Sequence, residues 1–216
     1  MKKKQAGLRS EIIAISRALD AAGLVPNKSG NVSCRSPGGF LVTPSGVPYR
    51  GLAPGQLVEF DEHGTPAAGG LRPSSEWRMH AAIYACRPDV SAIVHTHSPH
   101  ATALSCAGLG IPAFHYMIAL AGGAIRCAPY ATFGTAELAA SAIAGLEGRR
   151  AVLLANHGVV AVGPSLVAAQ AVAVEVENLA TQYLALRAAG VEPVLLDDAE
   201  LEKVIEKFTD YGRIEQ

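Results

Sequence analysis

Apolar residues recur along the chain at spacings typical of both helices and strands. Over residues 7–22 they fall on one helical face, and Gly23 suits the C-terminal end of that helix. Five further helices are predicted, at residues 74–87, 99–107, 137–146, 166–189 and 198–208. Short apolar runs predict strands at residues 40–43, 57–60, 90–96, 151–154 and 159–162.

The order of these elements indicates a layered α/β domain. Strands alternate with helices over short connections, which favours one sheet covered by helices. Hairpin-like spacings at residues 40–60 and 151–162 favour a mixed sheet. No repeat, low-complexity segment or linker divides the chain, so we expect residues 1–216 to form a single domain.

Composition excludes several classes of protein. Half of the 216 residues are hydrophobic and 17% are charged, unlike a disordered or fibrous chain. Lys and Arg number 18 against 19 acidic residues, so no basic surface for nucleic acid is expected. No apolar run is long enough to cross a membrane, and Arg9 and Glu11 interrupt any signal-peptide core. Four scattered cysteines without a C-x-x-C pair indicate reduced thiols in a cytoplasmic protein.

The chain has a candidate metal site. His95 and His97 end an apolar strand, where side chains two residues apart leave the same face and can converge on one ion. His157, in a turn before Gly158, is a candidate third ligand, and Glu76 at the start of a helix is a candidate oxygen ligand. Three imidazoles and a carboxylate suit zinc, with cobalt and manganese as alternatives.

Two other histidines remain alternatives as ligands. His80 shares a helix face with Glu76 at i, i+4 spacing, and His100 follows closely after the H-x-H pair. As metal ligands, both are less favoured than His157. If Glu76 can leave the ion, a coordination position opens for substrate, which favours a catalytic site over a structural one.

Three short polar segments have the composition of an oxyanion site. Residues 29–31 offer backbone N–H groups and an amide side chain, and residues 43–46 offer a hydroxyl and a glycine N–H. Ser74 and Ser75 precede a helix, whose N-terminus attracts anions. Beside a metal site, these segments predict a phosphorylated substrate, and Lys28 is a candidate point charge.

The same segments, in the same order, resemble the class II (metal-dependent) sugar-phosphate aldolases, and within that family the branch that acts on L-fuculose 1-phosphate. The resemblance covers nearly the whole chain. The segments that resemble the family are Ser29–Ser33, Leu41–Tyr49, Pro73–Arg78, Val94–His97, Ile111–Ile118, Ala128–Thr135, Asn156–Gly158 and Glu206–Gly212. It implies a single three-layer α/β/α domain around a mixed, largely antiparallel sheet.

The resemblance also implies roles for individual residues. It implies one divalent metal ion per subunit, bound by Glu76, His95, His97 and His157. Zinc is favoured, with manganese and cobalt as alternatives. Glu76 is also implied as the catalytic acid/base. Tyr116, donated across a subunit boundary, is implied as the proton donor to the departing aldehyde. The implied phosphate ligands are Gly30, Asn31, Ser45, Gly46, Ser74 and Ser75. The implied aldehyde pocket consists of Phe133, Phe208 and Tyr211.

The implied reaction is retro-aldol cleavage of a ketose 1-phosphate to dihydroxyacetone phosphate and a short aldehyde. The substrate would be L-fuculose 1-phosphate or a 5-deoxy- or 5-methylthio-pentulose 1-phosphate. Such an aldehyde-lyase serves cytoplasmic carbohydrate metabolism. The family's usual assembly is a homotetramer with sites between neighbours, and neither nucleic acid nor membrane is an implied partner.

Other functions remain open on the same scaffold. Pentulose-5-phosphate 4-epimerases resemble the chain around the histidines but carry Asp in place of Glu76. A sugar-phosphate dehydratase and a non-catalytic adducin-type binding module are further alternatives. Glu76 and the segment around Tyr116 favour the aldolase. Asn27-Lys28-Ser29 departs from the Gly-Thr-Ala common in the family, so Lys28 inherits no role by resemblance.

Overall fold

One seven-stranded sheet organises the chain in this computed structural model, which describes residues 2–210. The strands are β1 (Asn31–Ser36), β2 (Gly39–Val42), β3 (Val58–Asp61), β4 (Ala92–Thr96), β5 (Arg126–Ala128), β6 (Ala151–Leu154) and β7 (Gly158–Gly163). The helices are α1 (Lys2–Ala21), α2 (Trp77–Cys86), α3 (Pro99–Cys106), α4 (Ala136–Gly145), α5 (Leu166–Ala188) and α6 (Asp198–Asp210).

The strands lie in the order β3-β2-β1-β4-β7-β6-β5, with β4 in the middle. Every neighbouring pair is antiparallel except β5 and β6, which run parallel and are joined through α4. A parallel pair needs such a crossover, whereas β6 and β7 are antiparallel and join through a short turn. The predicted mixed, largely antiparallel sheet is confirmed.

Helices cover both faces of the sheet. In β4, Val94 packs into a core shared with α1, α3 and α5, whereas Ile93 packs into a second core shared with α2 and α4. Alternate residues of β6 and β7 divide between the two cores in the same way. Because both faces are buried, these strands are continuous apolar runs rather than alternating ones. The result is the expected three layers.

The longest helix, α5, fixes the position of the chain just beyond β4. The Glu177 carboxylate accepts hydrogen bonds from the backbone N–H groups of His100 and Ala101 at 3.0 and 2.9 Å. It therefore caps the start of α3, two residues after His97. Within residues 2–210, no helix combines the length and the apolar character needed to cross a membrane.

Most predicted elements are present, but two strands are missing from the sequence prediction. β1 has no apolar run that would predict a strand, because polar residues Asn31 and Ser33 stand on either side of Val32. Both side chains are buried and form hydrogen bonds, with Glu76 and His80 respectively, so this polar strand lies inside the protein. β5 has only three residues, too few for a recognisable pattern.

Candidate metal and phosphate site

Three imidazoles meet beside the end of the central strand. His95 is fully buried on β4, His97 follows directly after that strand, and His157 lies in the turn between β6 and β7. Because β7 pairs antiparallel with β4, the start of β7 lies next to the end of β4. The ring centroids of the three histidines are 4.8, 4.9 and 5.0 Å apart.

The Glu76 carboxylate completes this cluster from the residue before α2. Its Oε2 lies 2.9 Å from His95 Nε2, and its Oε1 lies 3.2 Å from His157 Nε2. Asn31 Nδ2 donates a hydrogen bond of 3.1 Å to Oε2, which orients the carboxylate. One donor atom from each of Glu76, His95, His97 and His157 lies within 4.8 Å of the others.

The donor atoms fit a bound cation. His95 Nδ1 lies 2.8 Å from the Val159 carbonyl and must donate to it, so Nε2 faces the cluster, where a proton or a cation can lie between it and Glu76. His95 Nε2 and His97 Nε2 are 3.0 Å apart, a separation at which two lone pairs need a shared proton or cation. Glu76 Oε1 is buried and makes no hydrogen bond, as expected of an atom reserved for a metal. Three imidazole nitrogens and a carboxylate suit zinc and similar divalent ions.

The protonation states also suit metal ligands. Burial, reinforced by the charge of His95, lowers the pKa of His97 to about 3. The same two causes, burial first, lower the pKa of His157. Burial opposes ionisation of Glu76, but the charge and hydrogen bond of His95 hold the Glu76 pKa well below its usual range. Glu76 is therefore ionised while His97 and His157 are neutral, the forms that bind metal.

A cavity of about 330 Å³ opens beside the cluster, and Glu76, His97 and His157 form part of its wall. All the residues predicted to hold a phosphate line it: Gly30, Asn31, Ser45, Gly46, Ser74 and Ser75. Phe133 also lines it, and its side chain is 64% exposed. One cavity therefore brings together a candidate metal site, three candidate anion segments and an apolar ring.

Hydrogen bonds hold the three polar segments next to one another. Thr43 Oγ1 accepts from the Val32 N–H at 3.1 Å, which joins the end of β2 to the start of β1. The Thr43 carbonyl accepts from the Ser74 N–H at 3.1 Å, which joins the second segment to the third. The Ser74 hydroxyl in turn accepts from the Glu76 N–H at 3.3 Å. The arrangement of the anion segments is thus coupled to the position of Glu76.

Gly30 lies so close to the metal cluster that a side chain cannot fit. Its φ is +105°, and a Cβ there would lie 2.6 Å from the carbonyl oxygen of His95. We expect Gly30→Ala to lower the free energy of unfolding by about 1–3 kcal/mol, the usual cost of overpacking, measured by denaturant titration. Gly108→Ala is the control, because Gly108 also has a positive φ, +67°, but has no atom within 4 Å of a Cβ. Equal stability of the two variants would contradict this steric explanation.

Tyr116 and Phe208 lie together, away from this cavity. Tyr116 begins the short helical segment Tyr116–Ala121, is 53% exposed, and stacks on Phe208 of α6 with ring centroids 6.4 Å apart. Neither residue lines the cavity of its own chain. Their implied roles stay predictions that need a neighbouring subunit. Tyr211, the remaining implied pocket residue, lies outside the described residues.

The two alternative histidines lie outside the ligand cluster. His80 is buried with Nδ1 2.6 Å from the Ser33 hydroxyl, and His100 is exposed with Nδ1 2.8 Å from Glu177. Tyr130 and Asn156 also line the cavity and are not among the predicted site residues. Asn156 has a left-handed φ of +56°, and Asn two residues before a Gly is a turn signal that could have indicated it. No sequence motif indicated that Tyr130 would line the cavity.

Comparison with known proteins gives consistent matches over nearly the whole chain. Residues 10–184 match the family described as Class II Aldolase and Adducin N-terminal domain. A 5-methylthioribulose-1-phosphate/5-deoxyribulose-1-phosphate aldolase of Rhodospirillum rubrum is 50% identical over 206 residues, 95% of this chain and 92% of that protein. An L-fuculose phosphate aldolase of Escherichia coli K12 is 46% identical over 211 residues, covering 97% and 98% of the two chains. A solved structure of an L-fuculose 1-phosphate aldolase superposes with a TM-score of 0.90 at 41% identity, covering 94% and 96%.

Proposed function

The chain belongs to the class II aldolase and adducin N-terminal domain family, and we propose that it is an aldehyde-lyase that cleaves a ketose 1-phosphate to dihydroxyacetone phosphate and a short aldehyde. The observation that carries the proposal is the cluster of Glu76 and three histidines in the wall of a cavity lined by three anion segments. The relatives at 46% and 50% identity are named as aldolases of such sugar phosphates.

The family and the Glu–His cluster indicate a divalent metal ion, and we propose zinc. Glu76, His95, His97 and His157 would hold the ion, and Glu76 would give up its coordination position to substrate. The ion would then act as a Lewis acid and stabilise the negative charge that develops on substrate oxygens as the C3–C4 bond breaks. Contacts within the protein orient the ligand atoms before an ion binds. His95 is fixed by the Val159 carbonyl, and Glu76 is oriented by Asn31.

Glu76 is the proposed proton carrier. Its ionised carboxylate lines the cavity, and the hydrogen bond from Asn31 restricts its orientation. In the synthetic direction it takes the proton from C3 of dihydroxyacetone phosphate, and in cleavage it returns that proton to the same carbon. The anion segments bind the remote phosphate and so hold C3 within reach of the carboxylate.

The aldehyde half of the substrate would lie toward the exposed side of the cavity. We propose that Phe133 lines it together with Phe208 and Tyr211 of a neighbouring subunit. We also propose that Tyr116 of that subunit takes the proton from the C4 hydroxyl in cleavage and returns it to the aldehyde oxygen in synthesis. The exposure of Tyr116 and its absence from the wall of its own cavity support a role across a subunit boundary. A homotetramer with sites between neighbours is the assembly that we propose.

An assay for the three-carbon product tests the function. We expect the metal-loaded protein to release dihydroxyacetone phosphate from at least one of three substrates: L-fuculose 1-phosphate, 5-deoxyribulose 1-phosphate and 5-methylthioribulose 1-phosphate. Glycerol-3-phosphate dehydrogenase and NADH report that product as loss of absorbance. An epimerised or dehydrated phosphate without the three-carbon product would favour the other enzymes of this scaffold. Turnover that is undiminished in metal-free protein would overturn the proposal.

A further inference from the structure

Lys28 supplies the permanent positive charge in the wall of the cavity. Among the residues that line the cavity, it is the single lysine or arginine. The other polar groups there are hydroxyls, amides and imidazoles, together with the Glu76 carboxylate. A phosphate dianion that enters this cavity therefore meets one cationic side chain of the protein, at an exposed position near Ser29 and Gly30.

Within the described part of the chain, the charge of Lys28 has no ion-pair partner. Among the side chains described between residues 5 and 208, no carboxylate forms an ion pair with its ammonium group. Asp20 and Arg50 line a neighbouring groove together with Lys28, but Asp20 pairs with Arg50 at 3.3 Å. Lys28 thus lies on the ridge between this groove and the cavity, with its charge available to a ligand.

The backbone around Lys28 adopts an uncommon conformation. Asn27 and Lys28 both have left-handed φ values, +54° and +64°, which crowd the Cβ of any residue except glycine. The loop is held on both sides, because the Ser29 N–H donates to the Pro26 carbonyl at 3.0 Å and the Tyr49 hydroxyl donates to the Gly30 carbonyl at 2.9 Å. Asparagine tolerates this conformation well, whereas lysine gains nothing from it locally. Strain of this kind is typical of binding sites.

We propose that Lys28 binds the substrate phosphate through a charge-assisted hydrogen bond. It would add a positive charge to the uncharged phosphate-binding segments at residues 29–31, 45–46 and 74–75. The identity of the ligand as a sugar phosphate rests on the proposed function. Lys28 touches the phosphate and no reacting atom, so it strengthens binding of the substrate and of the transition state equally. Its loss therefore changes KM rather than kcat.

Inorganic phosphate is the probe that tests the charge directly, by calorimetric titration of the metal-loaded protein. Lys28→Asn removes the charge and keeps a residue that accepts the left-handed conformation. We expect its Kd for phosphate to rise about 10- to 100-fold, the range for a lost hydrogen bond between charged groups. Lys28→Arg retains the charge and should stay within about threefold of the unmodified protein. Arg78→Gln is the control for general electrostatics, because Arg78 is exposed and does not line the cavity.

Kinetics give a second measurement. With a ketose 1-phosphate, Lys28→Asn should raise KM by the same factor with kcat nearly unchanged, and should weaken the rise of KM with salt concentration. Unchanged phosphate affinity in Lys28→Asn, or an equal loss in Arg78→Gln, would overturn the assignment of Lys28. If phosphate binds as expected but no dihydroxyacetone phosphate forms, the proposed function fails and the role of Lys28 stands.

Discussion

Replacing Glu76 by glutamine is expected to lower kcat for ketose 1-phosphate cleavage by about 10²- to 10⁴-fold, the usual loss when a general base is removed. Glutamine has nearly the same shape and can still occupy the space between Asn31 and the histidines. It cannot take a proton from carbon. Steady-state cleavage rates, measured with the metal content determined in parallel, separate the loss of the base from the loss of the ion.

Two further variants define the requirement at this position. Glu76→Asp keeps the charge but withdraws the carboxylate by one methylene, and a displacement of about 1 Å can cost about 10²-fold in rate. Glu147→Gln removes an exposed carboxylate outside the cavity and should leave kcat unchanged. A Glu76→Gln protein that retains full metal content and full turnover would show that another group transfers the proton.

Replacing His95 by alanine is expected to abolish tight metal binding and to reduce cleavage by at least about 10³-fold. His95 is fully buried, is fixed by the Val159 carbonyl, and lies within 3.0 Å of donor atoms of both Glu76 and His97. Elemental analysis of the purified protein gives the metal stoichiometry, and the same preparation gives the rate.

His63→Ala is the matched control, since His63 is exposed and lies outside the metal cluster. It should keep both metal and activity. Removal of the ion from the unmodified protein with a chelator should reproduce the loss of rate, and readdition of zinc, manganese or cobalt in turn identifies the ion that restores most activity. Full metal content in His95→Ala would contradict the proposed ligand set.

The convergence of the histidines follows from simple strand geometry. The H-x-H pair at the end of β4 directs two imidazoles to the same face of the sheet. Because β7 pairs antiparallel with β4, the turn before β7 brings His157 next to them. The strands of the central sheet were recognisable because burial on both faces makes them continuously apolar. Periodicity left His80 open as a ligand because it lies at i, i+4 spacing from Glu76, whereas in the structure its Nδ1 lies beside the Ser33 hydroxyl.

Other features depend on contacts between residues distant in sequence. β1 was hidden because its polar residues are matched by partners such as Glu76 and His80, located more than forty residues away. The exposed position of Tyr116 depends on how the segment Tyr116–Ala121 packs against α5 and α6, which no local sequence pattern predicts. The left-handed backbone at Lys28 is likewise set by its neighbours, because the residue type by itself disfavours it.

The central position of β4 makes the metal site and the sheet one thermodynamic unit. His95 pairs with Asn31 of β1 on one side and with Val160 of β7 on the other, so the ligand set exists when the middle of the sheet is assembled. An ion that binds the folded chain alone adds about 2.7 kcal/mol to its stability at a hundred times its Kd. Depletion of the ion in a cell would therefore stop catalysis and also shorten the lifetime of the folded protein.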